Sequence, residues 1–208
     1  MKRRFARIAL SVVVVIVMGS GAAFAADKVA KKSDTQDPKA QQDAMMEMMM
    51  KAAAPGPMHE LLKPMAGNWK TTAKSWMQPG TEPQVSEGTC ESMWILGNRY
   101  LQSSYKGDMG GMPFEGVGIM GYDNMKKEFV STWMDNMGTG VAMSEGTADA
   151  SGKVLTMKTM MGDPKSGKMV PYKFVTKVMD ENTYTMTMMN LKGGKEQTEM
   201  EITYTRMK

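Results

Sequence analysis

The sequence predicts an all-β protein, an antiparallel up-and-down barrel of about ten strands that follows a Met-rich helix and a short helical turn. The first observation is that apolar residues recur at every second position from Asn68 onward, as in Met200, Ile202 and Tyr204 near the end of the chain. The second is that short turns rich in glycine, aspartate and asparagine separate these segments, with no long helical crossover between them. Because bare sheet edges invite association with other chains, a sheet of this size is expected to close into a barrel.

The N-terminus has the three parts of a secretory signal peptide. Four basic residues within the first seven positions precede an apolar run over 8–18, and small residues follow up to Ala23-Phe24-Ala25. The apolar run is too short to span a bilayer. We therefore expect residues 1–25 to be a cleaved signal peptide. The rest of the chain is then exported, to the periplasm or outside the cell, and keeps no transmembrane segment.

Residues 26–54 are predicted to form a tether with a Met-rich helix. The stretch 26–36 is predicted to be disordered, and a helix then starts with Asp37 as N-cap and Pro38 in the first helical position. Methionines four residues apart share one side of such a helix, and the paired ones are Met45, Met46, Met49 and Met50. Two interpretations stay open. The methionines form either a face that packs on the domain or on a protein partner through residues 37–54, or a thioether site for Cu(I).

The barrel domain is predicted to cover residues 55–208 and to be organised around Trp69. Residues 57–69 form a short helical turn that stops at Gly67 and leads Trp69 into the first strand. The predicted strands cover residues 69–77, 84–95, 99–107, 114–122, 128–134, 138–148, 153–161, 169–179, 183–191 and 198–206. Gly97-Asn98 is a two-residue hairpin signal, and the other breaks suit short antiparallel connections.

A short repeat recurs in every second strand. Ser86-Glu87-Gly88-Thr89 returns as Ser144-Glu145-Gly146-Thr147, and Phe114-Glu115-Gly116 is a weaker third copy. Glycine inside a strand marks a bend or a close approach of two backbones, so we interpret the repeat as barrel curvature. The alternative is a ring of Glu87, Glu115 and Glu145 near one rim that binds a cation or a polar ligand group.

Composition excludes several functions. The predicted signal peptide contains four of the 26 Lys+Arg, which leaves 22 basic against 22 acidic residues and argues against a nucleic-acid partner. One histidine, His59, and one cysteine, Cys90, are too few for a zinc site or an obvious nucleophilic centre. Cys90 is expected to be a small buried apolar residue. We identify no catalytic residue, favour a protein without enzymatic activity, and expect no cofactor apart from the Cu(I) alternative.

Methionine is unusually frequent. The chain has 28 Met against seven Leu, although leucine is normally among the commonest residues. The shortage of leucine predicts that methionine replaces it as a flexible core residue at most positions. The alternative is a set of exposed thioethers that bind Cu(I) or consume oxidants.

Two features together resemble the lipocalin-like (calycin) barrels. Gly67-Asn68-Trp69 is similar to the Gly-x-Trp of the first strand in that family, and Arg206 stands where the family's arginine packs over the tryptophan. More specifically, the chain from Pro55 to Arg206 resembles the uncharacterised bacterial family called domain of unknown function 1579.

The resemblance to this family is carried by seven stretches across the domain. They are Pro57-Met58-His59-Glu60-Leu61-Leu62, Gly67-Asn68-Trp69, Ile95-Leu96-Gly97-Asn98-Arg99-Tyr100-Leu101, Gly111-Met112-Pro113-Phe114-Glu115-Gly116, Gly121-Tyr122-Asp123-Asn124, Val130-Ser131-Thr132-Trp133 and Ile202-Thr203-Tyr204-Thr205-Arg206. The resemblance implies a closed barrel and no established activity. Ten strands also resemble the nitrobindin-type barrels, whose haem-binding members use a barrel histidine, and this chain has no histidine after His59.

Three functional hypotheses follow. The first is a small apolar or amphipathic ligand inside the barrel, because small barrels can enclose one ligand. The candidate lining residues are Tyr100, Phe129, Trp133, Tyr184, Met186, Met188 and Tyr204. The second is a methionine-based protein that binds Cu(I) or scavenges oxidants. The third is a structural or partner-binding module.

Overall fold

The computed structural model describes residues 37–163 and 166–208. Two helices, α1 (Pro38–Ala52) and α2 (Pro57–Glu60), and a 3-10 turn at Lys63–Met65 precede the strands. The strands are β1 (Gly67–Ser75), β2 (Gln84–Ile95), β3 (Tyr100–Met109), β4 (Met112–Asp123), β5 (Glu128–Asp135), β6 (Ala142–Ala148), β7 (Val154–Asp163), β8 (Lys168–Asp180), β9 (Thr183–Asn190) and β10 (Gln197–Arg206). The predicted signal peptide over 1–25 and the predicted disordered stretch over 26–36 lie outside the described residues.

The strands form one closed antiparallel barrel, which confirms the predicted fold class. Each strand pairs with its neighbours in sequence, and β1 closes on β10 with Trp69 opposite Arg206 and Thr71 opposite Tyr204. Closure gives each of the ten described strands a hydrogen-bonded neighbour on both sides. In the described part of the chain, no helix is long and apolar enough to cross a membrane.

The strand boundaries follow the sequence prediction with one clear exception. The segment predicted as a strand over 138–148 pairs only from Ala142 to Ala148. Gly138 and Gly140 lie in the preceding connection, with nothing within 4 Å of the position that a Cβ atom would occupy. Two glycines in three residues weaken a strand, so the chain stays irregular there until Val141.

Helix α1 is capped as the sequence predicts, and it lies apart from the barrel core. The Asp37 side chain accepts a hydrogen bond from the Lys39 backbone N–H at 3.0 Å. None of its residues is buried. Its C-terminal end is held by the barrel, because Asn124 Nδ2 donates to the carbonyls of Ala52 at 2.7 Å and Ala54 at 3.0 Å.

The two ends of the barrel differ in packing. At the end where β1 begins, the segment from α2 to the 3-10 turn packs Leu62 and Met65 against Trp69, and we call this the plugged end. The other end, where β1 finishes at Ser75, is the far end. Several large inward-facing side chains near the plugged end are buried, among them Leu101, Phe129, Leu155, Tyr184 and Tyr204. Towards the far end most large inward-facing side chains are half-buried, although Val170 and Thr159 are buried there.

The prediction that most methionines are core residues is wrong. In the described residues Met65 and Met157 are buried, and seventeen methionines are exposed. The exposed ones are Met45, Met46, Met48, Met49, Met50, Met77, Met93, Met109, Met112, Met125, Met134, Met137, Met143, Met160, Met169, Met179 and Met207. Five of the exposed methionines are on α1 and four are in connections or the C-terminal tail. The other eight are in strands, where alternation sends every second side chain outward.

The repeated Glu-Gly pairs are structural. Their glycines approach other parts of the barrel: a Cβ atom on Gly116 would lie 2.3 Å from the Trp133 ring, and one on Gly146 would lie 1.9 Å from the Thr156 carbonyl oxygen. The cation-binding ring of glutamates is not formed, because each carboxylate pairs with a lysine on the outer surface. The pairs are Glu87 with Lys70 at 3.0 Å, Glu115 with Lys106 at 3.8 Å, and Glu145 with Lys126.

Candidate functional site

The plugged end is built around a cation–π contact. Arg206 Cζ lies 4.1 Å from the centroid of the Trp69 ring, and the Trp69 indole N–H donates to the Met65 carbonyl at 3.0 Å. The guanidinium also donates to three backbone carbonyls, of Glu181 at 2.8 Å, Pro64 at 2.9 Å and Ala66 at 2.9 Å. One side chain therefore ties together the start of β1, the segment before it and the β8–β9 turn. This is the contact that the sequence predicted for these two residues.

Two of the predicted lining residues, Tyr184 and Tyr204, fill the plugged half of the barrel. Their rings stack at 4.1 Å with 10° between the planes, and Tyr184 meets Trp69 edge to face at 4.7 Å. Burial raises the pKa of both phenols far above the ordinary value. Edge-to-face and offset stacks of this kind are packing arrangements, so these rings close the interior at this end and leave no room beside the tryptophan.

Phe129 also belongs to this packed half. It is fully buried and meets Tyr122 edge to face at 5.1 Å, and Tyr122 in turn meets His59 at 5.9 Å. His59 Nδ1 accepts a hydrogen bond from the Gly56 backbone N–H at 3.1 Å. His59 is therefore a buried residue that caps α2.

His59 makes the plug sensitive to acid. Burial, and then the positive charge of Arg99, lower the pKa of the imidazole below its usual value of about 6.5. The folded state therefore binds a proton later than the unfolded state as the pH falls. The contribution of neutral His59 to the free energy of unfolding is complete above pH about 6.5 and decreases below it until the lowered pKa is passed.

We expect His59→Asn, which keeps an acceptor for Gly56, to flatten the change in unfolding free energy between pH 7.5 and pH 5. Urea titrations that show the same change in both proteins would contradict this.

Three predicted lining residues, Trp133, Met186 and Met188, face inward towards the far end and are half-buried. Met188 lies directly opposite Met200 on one neighbouring strand and Phe174 on the other. Trp133 stacks on Phe114 with ring centroids 6.5 Å apart and 18° between the planes. These side chains form a mostly apolar, partly solvated surface that we call the far-end lining, defined as Phe114, Trp133, Phe174, Met186, Met188 and Met200.

Polar groups accompany this apolar surface. The Tyr172 hydroxyl donates to Glu199 Oε2 at 2.8 Å, and Asn190 Nδ2 donates to Glu199 Oε1 at 3.0 Å and to the Tyr172 hydroxyl oxygen at 3.1 Å. Burial and the adjacent Glu199 carboxylate raise the pKa of Tyr172 to about 12. Across the barrel, the Trp133 indole N–H donates to Asp135 Oδ2 at 2.8 Å. The arrangement offers a partly buried carboxylate beside thioethers and aromatic rings.

Sequence reasoning missed this polar cluster because of a β-bulge. Strict alternation along β10 places Glu199 outward, opposite in direction to Met200. The register shifts between Thr198 and Met200, where an extra residue interrupts the ladder with β9. Bulges redirect side chains, and here Glu199 meets the inward-facing Tyr172 and Asn190. The signal available in the sequence was only the polar character of three residues on neighbouring strands.

Tyr100 does not line the interior, which corrects the sequence prediction. Along β3, Leu101 and Tyr105 are buried and face inward, so period-two alternation turns Tyr100 outward. Its ring lies over Gly121 on the neighbouring strand, where a Cβ atom would come within 2.5 Å of it. Tyr100 therefore covers a bare glycine on the outer surface.

Two open grooves lie outside the barrel. One, of about 520 Å³, is lined by residues of β1, β2 and β3 together with Met207. The other, of about 400 Å³, adjoins it and includes Lys208. Both share Thr89, Lys106 and Met207, and neither involves the far-end lining.

Cys90 is the small buried residue that the sequence predicted. Its thiol lies 3.6 Å from the Ser92 hydroxyl, and burial raises its pKa. Because the thiolate is the reactive form, we expect no reaction with a disulfide reagent in the folded protein and one equivalent after denaturation. Cys90→Ser carrying Glu91→Cys is the matched control, since residue 91 is exposed. Rapid reaction of native Cys90 would contradict the packing described here.

Comparison with known protein families identifies the family of this chain. The family described as "Protein of unknown function (DUF1579)" matches residues 54–206, which is most of the chain and all ten strands. The chain belongs to the DUF1579 family. Among curated proteins, none matches the sequence. DUF1579 membership thus agrees with the resemblance seen in the sequence and carries no activity with it.

Solved structures share the fold of this DUF1579 protein. Rv2717c from M. tuberculosis matches with a TM-score of 0.55 at 14% identity, covering 74% of this chain and all of that chain (100%). An S-type phycobiliprotein lyase, CPES from Guillardia theta, matches with a TM-score of 0.49 at 9% identity, covering 72% of this chain and 92% of that one. A redesigned β-barrel, mFAP1, solved with DFHBI bound, matches with a TM-score of 0.38 at 14% identity, covering 73% of this chain and 100% of its own. At such identities the likeness shows the fold alone.

Proposed function

We propose that this DUF1579 protein is exported and binds a small apolar or amphipathic molecule at the far-end lining. The observation that carries the proposal is the difference between the two halves of the barrel. The large side chains packed against Trp69, such as Leu62, Met65 and Tyr184, are buried, while those of the far-end lining stay half-buried although they point to the inside. Binding pockets are mostly apolar with a few placed polar groups, and the far end has both kinds.

The polar cluster sets the expected chemistry of the ligand. Glu199 is partly buried and accepts hydrogen bonds from Tyr172 and Asn190. A carboxylate in such a position favours a ligand that brings a hydrogen-bond donor or a positive charge to the apolar surface. Glu199→Gln is expected to weaken binding of an amphipathic amine more than binding of a neutral probe of the same chain length.

The experiment fills the far end with a larger side chain. Met188→Trp places an indole into the far-end lining, whereas Met189→Trp, one residue along the same strand, places it on the opposite face. Binding of the uncharged fluorescent probe Nile red is measured by titration, with circular dichroism as the folding control. We expect Met188→Trp to weaken binding at least tenfold and Met189→Trp to leave it unchanged. Equal effects of the two variants, or no saturable binding by the unaltered protein, reject the proposal.

A second candidate function is favoured by the exposure of α1. Its Met45, Met46, Met49 and Met50 are all exposed, on a helix with no buried residue. We propose these thioethers as ligands for Cu(I), which prefers soft sulfur donors. They are equally a reservoir for peroxide: the sulfur attacks the peroxide oxygen, the O–O bond breaks, and the products are a sulfoxide and water.

The test of the second candidate replaces sulfur without changing the helix. In a variant with leucine at these four positions, we expect fewer equivalents of bound Cu(I) by native mass spectrometry. We also expect fewer additions of one oxygen mass after exposure to hydrogen peroxide. Leucine has a helix propensity close to that of methionine, so α1 persists. An unchanged copper stoichiometry rejects the metal role of α1, and unchanged oxygen uptake rejects its role as oxidant reservoir.

A further inference from the structure

A second group of exposed methionines lies on the outer face of the barrel near its far end. One methionine comes from each of four consecutive strands, Met134 on β5, Met143 on β6, Met160 on β7 and Met169 on β8. We call these four the barrel-face methionines. Their exposed fractions are 38%, 71%, 48% and 59% in that order. These four residues are accessible to solvent, unlike Met65 and Met157 in the core.

The strand register brings these side chains together. Ser144 pairs with Thr159 and Glu145 with Lys158, so the next step of the same antiparallel ladder sets Met143 opposite Met160. The two strands are also joined there by a hydrogen bond from the Thr159 hydroxyl to the Met143 carbonyl at 2.6 Å. Residues directly opposite have Cβ atoms about 5 Å apart, which lets two flexible thioethers meet above the sheet.

The other two methionines are diagonal neighbours of this central pair. Thr132 pairs with Met143, so Met134 is two positions further along the same face of β5. Met160 pairs with Pro171 and Gly162 with Met169, so Met169 is diagonal to Met160 on the other side. Diagonal positions lie about 7–8 Å apart, within reach of long side chains. The central pair and one flanking thioether can therefore approach a common point, whereas Met134 and Met169 are three strand spacings, about 14 Å, apart and do not both reach it.

The neighbouring outward residues explain which ligand suits the group. Val117 lies opposite Met134, and Pro171 lies opposite Met160. Two positions from the Met143–Met160 pair, on the same outer face of β6 and β7, Glu145 and Lys158 lie opposite each other. Glu145 is also paired with Lys126. The group thus presents thioethers without a free carboxylate among these neighbours. Hard cations that need oxygen ligands are disfavoured there, and soft cations that accept sulfur are favoured.

An apolar docking face is the competing interpretation, since exposed apolar patches often mark interfaces. Binding energy at protein interfaces is concentrated in tryptophan, tyrosine and arginine side chains, and the four positions contain none of these. The sheet also fixes the Cβ positions of the four side chains relative to one another, whereas helix α1 has no buried residue to anchor it. Preorganised ligands lose less conformational freedom on binding.

We propose that the barrel-face methionines bind a monovalent soft cation, Cu(I) or Ag(I), through Met143, Met160 and a flanking thioether. The site is distinct from the far-end lining and from the methionines of α1. It shares with the second candidate function only the chemistry of thioethers. The test of this site can therefore fail without contradicting ligand binding at the far-end lining or the thioether chemistry of α1.

The experiment titrates the full chain with Ag(I), an air-stable substitute for Cu(I), and follows the methyl resonances of methionine labelled with carbon-13. The test variant is Met143→Leu with Met160→Leu, which removes two sulfur atoms and keeps the surface apolar. The control is Met93→Leu with Met179→Leu, two exposed methionines outside the group. The four-leucine variant of α1 separates the two methionine clusters.

We expect the resonances of the barrel-face methionines to shift first in the unaltered protein, with saturation near one equivalent. The test variant is expected to bind that equivalent at least tenfold more weakly, and the control and the α1 variant to bind it unchanged. Three results overturn the proposal: equal binding by test and control variants, simultaneous shifts of all exposed methionines, or equal binding of Zn²⁺. Concentration-dependent association that persists in the test variant and competes with Ag(I) also overturns it, in favour of the docking face.

Discussion

Replacing Trp69 by alanine is expected to lower the free energy of unfolding by about 4 kcal/mol, near the middle of the range for buried large-to-small changes of aromatic residues. The side chain is 1% exposed and contacts the Tyr184 ring, the Met65 carbonyl and the Arg206 guanidinium. Alanine leaves a cavity at the plugged end and removes the surface on which the guanidinium lies. Urea unfolding followed by circular dichroism measures the effect without relying on tryptophan fluorescence.

Two further variants show whether the effect belongs to this contact. Trp76→Ala removes a tryptophan that is only partly buried, and we expect it to cost less than half as much. Arg206→Met keeps the aliphatic stem and removes the charged group that binds three carbonyls. Combined with Trp69→Ala, it should show a coupling of about 1–2 kcal/mol. Additive losses would mean that the two residues act independently and that the plug is not organised by their contact.

Gly146→Ala is expected to cost about 3 kcal/mol, the upper part of the usual range for overpacking, although it adds a single methyl group. The new Cβ atom would lie 1.9 Å from the Thr156 carbonyl oxygen and 2.8 Å from Met157 Cα. Both atoms belong to the backbone of β7, so no side-chain rotation relieves the clash and the β6–β7 ladder must open. Thermal unfolding and hydrogen exchange of the β7 amides measure the loss.

The matched control for this change is Gly162→Ala. Gly162 also lies within β7, but nothing is found within 4 Å of its Cβ position. Alanine there is expected to change stability by less than about 1 kcal/mol, since it only restricts the unfolded chain. If Gly146→Ala proves as mild as Gly162→Ala, the glycine of the repeat is not required by close backbone approach.

The contacts at the plugged end show how much local sequence can predict. The sequence predicts one contact between residues far apart in the chain, Trp69 and Arg206. The prediction rests on the Gly67-Asn68 pair before the tryptophan and on the position of the arginine at the end of the last strand. The structure has that contact at 4.1 Å. The prediction succeeded because closing an up-and-down barrel brings its first and last strands together, which places their ends side by side.

The direction of single side chains was predicted less well. Tyr100 was assigned to the interior, yet Leu101 and Tyr105 occupy that face of β3. When the first two residues of a strand are both apolar, as Tyr100 and Leu101 are, alternation alone does not say which of them faces inward. A third inward residue further along the strand, here Tyr105, decides it. Strict alternation along β10 predicts an outward Glu199, because alternation carries no sign of the bulge between Thr198 and Met200. Both errors are errors of phase, and a shift of one residue exchanges the two faces of a strand.

The amino-acid sequence by itself determined the strands, their order and the closure of the barrel, because period-two patterning and short turns leave few other ways to bury the apolar face. Only the tertiary structure decided which end is packed and which is partly solvated. It also decided that most described methionines are outside the core and that four of them share one outer face. Methionine is apolar enough to be read as core from composition, and its position on a closed sheet depends on register and on bulges set by contacts between strands.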